Sequence, residues 1–244
     1  MKRLSIPELL SIWESHMQKP AVERSLYLLS AVYEKDVNVI AGLSVGQRDA
    51  GLLQFREWIF GPRLLNVSRC PNCSTPIEWE SDLRDLLLQQ MDPDSDTKII
   101  SLEKGRLNIE FRLPNSFDIM EAFSNPELAG DPVKLLSNCI LRVRDNSRET
   151  GVETLSPEIF SMIEQRMSVE DPQADIKMVL NCPECGTQWE APFDIMSYLW
   201  QEIDNWAKRL LGEVALLARA FGWSEKEILG LSHQRRKLYM EMIT

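Results

Sequence analysis

Histidine is nearly missing from this chain: two in 244 residues, His16 and His233, near opposite ends. That withholds the commonest general base and the commonest metal-binding imidazole from the middle of the sequence. Cationic charge is also short. The 27 Lys and Arg stand against 37 Asp and Glu, a formal charge of −10, and a surface of that sign repels both nucleic-acid phosphates and anionic membranes. No apolar run approaches the roughly 18 residues of a membrane-spanning helix. Lys2 and Arg3 are not followed by the apolar core of a signal peptide. The expectation is a cytoplasmic protein with no membrane partner and no nucleic-acid partner. Five cysteines are too few for the dense disulfide framework of a small secreted domain, and 44% hydrophobic residues over this length suffice for a sizeable core.

Four of those five cysteines form a repeat. Cys70-Pro71-Asn72-Cys73 and Cys182-Pro183-Glu184-Cys185 lie 112 positions apart, and at the same offset Thr75 matches Thr187, Glu78 matches Glu190 and Asp82 matches Asp194. The repeat is therefore a structural unit rather than a tetrapeptide. A CxxC turn places two sulfurs on one side of an ion, and Zn²⁺ takes four thiolates tetrahedrally, so Cys70, Cys73, Cys182 and Cys185 are the candidate ligands of one structural Zn²⁺. Ser74 stands where such knuckles more often carry glycine, as Gly186 does in the second copy. Two other readings stay open: a redox dithiol, which would sit at a helix N-terminus, and unmetallated thiols. The strand-like residues after each pair favour zinc. Zinc ribbons usually separate their pairs by roughly 15 to 20 residues, so the middle of the chain reads as an insertion.

Periodicity orders the rest. Helical spacing over residues 5–34 carries Ile6, Leu9, Leu10 and Trp13, then Val22, Leu26, Leu28, Leu29 and Val32 after Pro20. Val37–Ile40 is strand-like, and Ser44 with Gln47 has the spacing of a capping box ahead of a helix that stops at Gly61-Pro62. Three helices are expected before the first knuckle, and one short helix over 83–90. Leu107, Ile109, Phe111 and Leu113 alternate with polar residues, predicting a hairpin with Ile99–Leu102. Helices are expected from 116, over 132–143 and over 157–167, with loop across 145–154. A long helix after Asp194 shares one face among Leu199, Ile203, Trp206, Leu210, Val214, Leu217 and Phe221. Ser224 and Ser232 open two last helices. The fold class is α+β: helical ends around a small zinc-ribbon-like β unit. Its parts are 1–62 (helical), 63–93 (first knuckle hairpin and helix), 94–172 (α/β insertion), 173–196 (second knuckle hairpin) and 197–244 (long helix and helical pair).

Other motifs weigh less. Gly42-Leu43-Ser44-Val45-Gly46 fits the nucleophile elbow of α/β-hydrolases, but no βαβ pattern surrounds it and the only later histidine lies in the helical tail, so Ser44 reads as a helix cap. Arg235, Arg236 and Lys237 suggest a DNA-reading helix, yet Glu225, Glu227 and Glu241 nearly offset them, so a protein-contact module is favoured. Cys139 reads as a core thiol. The tryptophans read as core or interface anchors, and no carboxylates form a spaced catalytic pair. An enzyme is not expected.

Read whole, the segment from Asp171 to Ile243, which includes "CPECGTQWEAPFDIMSYLWQEIDNWAKRLLGEVALLARAFGWSEKEILG", resembles the T-even phage-type baseplate hub assembly chaperone family found in gene clusters of contractile injection systems. "LSVGQRDAGLLQFREWIFGPRL" and "FRLPNSFDIMEAF" support the likeness. The resemblance implies a non-enzymatic assembly factor that binds hub or spike proteins of a contractile particle, with the four cysteines as a zinc-ribbon-like element. Two rival roles are a permanent structural subunit of the baseplate and a zinc-ribbon nucleic-acid-binding regulator.

Overall fold

The computed structural model describes residues 1–125, 131–146 and 148–243, so part of the expected insertion, one residue of the expected 145–154 loop and the last residue of the tail lie outside the described residues. Four helices precede the first cysteine pair: α1 (Ile6–His16), α2 (Ala21–Tyr33), α3 (Val37–Gly42) and α4 (Val45–Phe60). The expected strand at Val37–Ile40 is helical instead. Asp36 caps it by accepting the Asn38 N–H at 2.8 Å, and Ile40 and Ala41 are buried. A short apolar run does not distinguish strand from helix by period, and here the packing decides.

Two separate hairpins follow the same plan. Strands β1 (Arg63–Arg69) and β2 (Pro76–Asp82) pair antiparallel, as do β7 (Lys177–Asn181) and β8 (Gln188–Pro192), each as a two-stranded sheet. A lone hairpin is marginal in water, so each is anchored at its base. Leu64 and Leu83 hold the first in the main core; Ile176 and Ile195 hold the second. Beyond β2 the expected helix over 83–90 shrinks to one 3-10 turn, Leu83–Asp85. The buried Gln173 carboxamide explains this: it accepts from the Leu88 N–H at 2.7 Å and donates to the Leu86 carbonyl at 3.0 Å, engaging main-chain groups that a helix would use internally.

Between the hairpins, β3 (Ile99–Lys104), β4 (Leu107–Arg112), β5 (Ile140–Asp145) and β6 (Arg148–Thr150) form a four-stranded antiparallel sheet in sequence order. It carries α5 (Ser116–Ser124), α6 (Pro132–Cys139) and α7 (Pro157–Glu170). Ile109, Phe111, Val143, Ile159 and Ile163 make a core of its own. The expected helix over 132–143 stops at Cys139, because β4 takes Ile140–Asp145 as its partner: Val143 lies opposite Ile109 and Arg142 opposite Glu110. The expected loop over 145–154 contains β6 and a 3-10 turn at Val152–Thr154.

The 27-residue helix α8 (Ile195–Phe221) spans about 40 Å at 1.5 Å per residue. Its first two thirds, with Leu199, Ile203, Ala207 and Leu210, pack into the main core; Val214 and Leu217 pack with Ile228 under α9 (Glu225–Leu229) and α10 (His233–Glu241). Fully burying such side chains contributes about 1.5–3 kcal/mol each. Arg56 of α4 holds α8 by a two-pronged pair to Glu202 at 2.9 and 2.7 Å. At the far end Arg236 is buried, paired to Glu213 at 3.2 Å and donating to the Leu231 carbonyl at 2.9 Å. One cation of the Arg235, Arg236 and Lys237 cluster is therefore spent on docking the tail. No described helix is long and apolar enough to cross a membrane.

Candidate metal centre

The two hairpin tips meet. The sulfurs of Cys70, Cys73, Cys182 and Cys185 all lie within 4.8 Å of one another, with Cys70 to Cys185 at 3.6 Å and Cys73 to Cys182 at 3.5 Å. A tetrahedral ion with metal–sulfur bonds of about 2.3 Å sets sulfur–sulfur edges of about 3.8 Å. The four thiols therefore fit a Cys₄ metal shell drawn from both pairs, and residues 115 and 109 apart along the chain become neighbours.

Each tip is built by the same short-range bonds, which accounts for the matching residues of the repeat. In the first, the Cys70 N–H donates to the Thr75 carbonyl at 3.0 Å and the Ser74 N–H to the Cys70 carbonyl at 2.9 Å. In the second, the Cys182 N–H donates to the Thr187 carbonyl at 2.9 Å and the Gly186 N–H to the Cys182 carbonyl at 3.0 Å. The turn requires a left-handed residue after the second cysteine: Gly186 at φ 71° takes it freely, whereas Ser74 takes it at φ 60° with a side chain in the way. The hydroxyls of Thr75 and Thr187 lie 3.2 Å from the sulfurs of Cys73 and Cys185. Thr75 lowers the Cys73 thiol below its ordinary value, and Thr187, with Asn72 adding, lowers Cys185 to about 6. Both shifts favour the thiolates that a metal needs, whereas at Cys182 the Cys185 N–H, which lowers the thiol, is outweighed by desolvation and by the sulfurs of Cys73 and Cys185, which push it up to about 11. The threonines belong to the candidate centre although ligand spacing alone overlooks them, and their coincidence in the repeat is the sequence signal for it.

Asp82 and Asp194 also do the same work twice. Each caps the segment after its hairpin, accepting from the Arg84 N–H at 2.9 Å and the Met196 N–H at 3.0 Å. The second cap starts α8, so the cysteine-bearing hairpin runs directly into the long helix.

The remaining motifs resolve structurally. Ser44 caps α4 by accepting the Gln47 N–H at 3.2 Å, while the Gln47 side chain accepts from the Asp92 N–H rather than closing a capping box. Gly46, two residues on, has its own reason: its N–H donates to Oδ2 of the buried Asp171 carboxylate at 2.9 Å, and a Cβ there would lie 2.0 Å from the carboxylate's other oxygen, Oδ1. Asp171 thus pins the returning end of the middle segment to the α4 N-terminus, where an anion is favoured. The cleft around Ser44 is lined by residues such as Gln89, Lys98 and Glu170, with no histidine among them. Cys139 is fully buried, and burial pushes its thiol up to about 12.

A family model described as T4 bacteriophage base plate protein matches residues 8–200. The matched span contains both cysteine pairs and ends early in α8, so most of the helical tail lies beyond it. No curated protein and no solved structure matches the chain.

Proposed function

The chain belongs to the T4 bacteriophage base plate protein family, and on that footing we propose that it is a non-enzymatic, cytoplasmic assembly factor for the baseplate hub of a phage tail-like contractile particle. It acts by binding hub or spike proteins. The observation that carries the reading is the family match across 8–200, which embraces the whole hairpin-and-insertion architecture. The chemistry of the candidate centre agrees with binding rather than catalysis. Four sulfurs close a tetrahedral shell and leave no position for water or substrate, so one Zn²⁺ held by Cys70, Cys73, Cys182 and Cys185 would staple the two hairpins. The tail supplies contact surface: Leu216, Leu238 and Met242 are exposed on α8, on α10 and just after α10, around a helical pair fixed by Arg236.

Deleting the gene in a cell that makes such particles is expected to cut the yield of assembled, contractile particles sharply; normal yield would sink the proposal. A second reading, a permanent baseplate subunit, is favoured by the plain description of the matched family. Mass spectrometry of purified mature particles separates the two: a subunit is present in stoichiometric amount, an assembly factor is not.

A further inference from the structure

The first hairpin leaves one edge open, and that edge is apolar in its middle and cationic at both ends. Cys70 turns its N–H inward to Thr75, whereas Leu65 turns its main chain outward: its N–H donates to the Tyr198 hydroxyl at 2.9 Å and its carbonyl accepts from it at 3.0 Å. Main-chain groups alternate sides along a strand, so those of Val67 point out along the same edge. The side chains of Leu65 and Val67 are 67% and 69% exposed, on an edge strand of the kind that soluble proteins cover, charge or pair. Arg63 and Arg69 flank them on the same face; across the hairpin Glu80 and Glu78 stand opposite Leu65 and Val67, and Arg63 meets Glu80 at 3.4 Å in an exposed pair of little net strength, which a partner's carboxylate can share. Arg69 donates only to the Ser74 carbonyl and has no ion-pair partner among the described residues. The groove beside this edge is walled by Trp79, Met178, Phe193 and Tyr198, and its two carboxylates are committed, Asp194 as a helix cap and Glu202 to Arg56.

We infer that β1 is a docking edge for an extended segment of a partner protein, one with two apolar residues at alternate positions flanked by carboxylates. The segment adds a third strand to the β1–β2 hairpin, displacing the single hydroxyl of Tyr198 that now occupies the strand's place at Leu65. Main-chain bonds supply the pairing and the side chains opposite Arg63, Leu65, Val67 and Arg69 supply the selection. A second copy of this chain fits poorly, because antiparallel pairing of β1 with itself sets Arg63 against Arg69. The inference rests on the protein-binding role proposed above, but its test is independent of particle yield, so either can fail alone.

The probe is a seven-residue peptide, glutamate-threonine-valine-threonine-valine-threonine-glutamate, titrated against the full metal-loaded chain with amide hydrogen exchange and calorimetry. Saturable binding with slowed exchange at the Val67 amide is expected. Replacing both glutamates by lysine should weaken binding at least ten-fold, and N-methylating the peptide's pairing amides should abolish it. Val67→Pro, tolerable on an open edge, should remove binding while metal content and melting temperature stay unchanged; if that variant misfolds, the N-methylated peptide on the unaltered chain decides. Equal affinity for the acidic and basic peptides, no protection of Val67 at millimolar peptide, or a dimer held through β1 in sedimentation would overturn the inference.

Discussion

Mutating one cysteine of either pair tests whether the hairpins share an ion, and the structure sets the size of the effect. The cross-link joins residues 115 and 109 positions apart. If the bases of the hairpins were free, closing a loop near 100 residues would contribute about 4.7 kcal/mol by the chain-entropy model. The bases are not free: Leu64, Leu83, Ile176 and Ile195 hold them in the main core, and Arg56 ties α4 to α8 through Glu202. Much of the loop is therefore closed without metal, and loss of the ion should cost less than that ceiling, about 2–4 kcal/mol. Cys70→Ser and Cys182→Ser should each abolish bound zinc, from one per chain to none. Both should lower the denaturation midpoint by similar amounts and leave the far-ultraviolet helical signal intact. Hydrogen exchange should quicken first at the amides of Cys70, Ser74, Cys182 and Gly186, whose short bonds shape the tips. Two zinc ions in the parent chain, or half the metal surviving in either variant, would refute the shared shell. Complete unfolding of both variants would refute the claim that the core closes the loop unaided.

Ser74→Gly should stabilise the loaded protein by about 0.5–1 kcal/mol and Gly186→Ala should destabilise it by about 1 kcal/mol, because both positions are left-handed; melting curves check the opposite signs. Gly46→Ala drives a methyl into the Asp171 carboxylate and should cost about 2–3 kcal/mol, whereas Ser44→Ala loses one cap and should cost about 1 kcal/mol; urea titrations compare them. Burial raises the Asp49 carboxyl from 3.8 to about 6, partly opposed by Arg48 and helped by Asp194 and Asp171. The folded state therefore binds the extra proton, so this contribution to stability is full below about pH 4 and is lost as pH rises through 6. Asp49→Asn should flatten that slope between about pH 4 and 6, and an unchanged slope in denaturation curves counts against the assignment. Arg236→Ala should loosen α9 and α10 by about 2–3 kcal/mol, seen as faster exchange there, with zinc content unaffected; loss of zinc would contradict the separation of the tail from the centre.

Elements whose signals are local are legible in the amino-acid order alone. Ser5, Asn115, Ser224 and Ser232 cap their helices through bonds that close within a few residues. The alternation from Leu107 to Leu113 marks a real strand, and the spacing from Leu199 to Leu217 sets the buried face of α8. The duplicated pairs named four sulfurs that the fold brings within 4.8 Å, since each tip's turn is fixed by its own threonine and left-handed residue. Leu141-Arg142-Val143-Arg144 also carries the period of two that marks β5. What lay beyond reach depends on partners distant in sequence. Val37–Ile40 is apolar enough for either structure and becomes helical because Ile40 and Ala41 pack into the main core. Residues 86–88 leave helix because Gln173 takes their main-chain groups, and Gly46 is needed because Asp171 returns to it across 125 positions. Nor does any local pattern say that β1 keeps an outward edge while β2 covers the other, since Leu65 and Leu64 differ only in the side of the strand they face. Local chemistry specified the pieces and the candidate ligands; the tertiary structure chose among equally permitted local states by giving buried polar groups their partners and apolar side chains their neighbours.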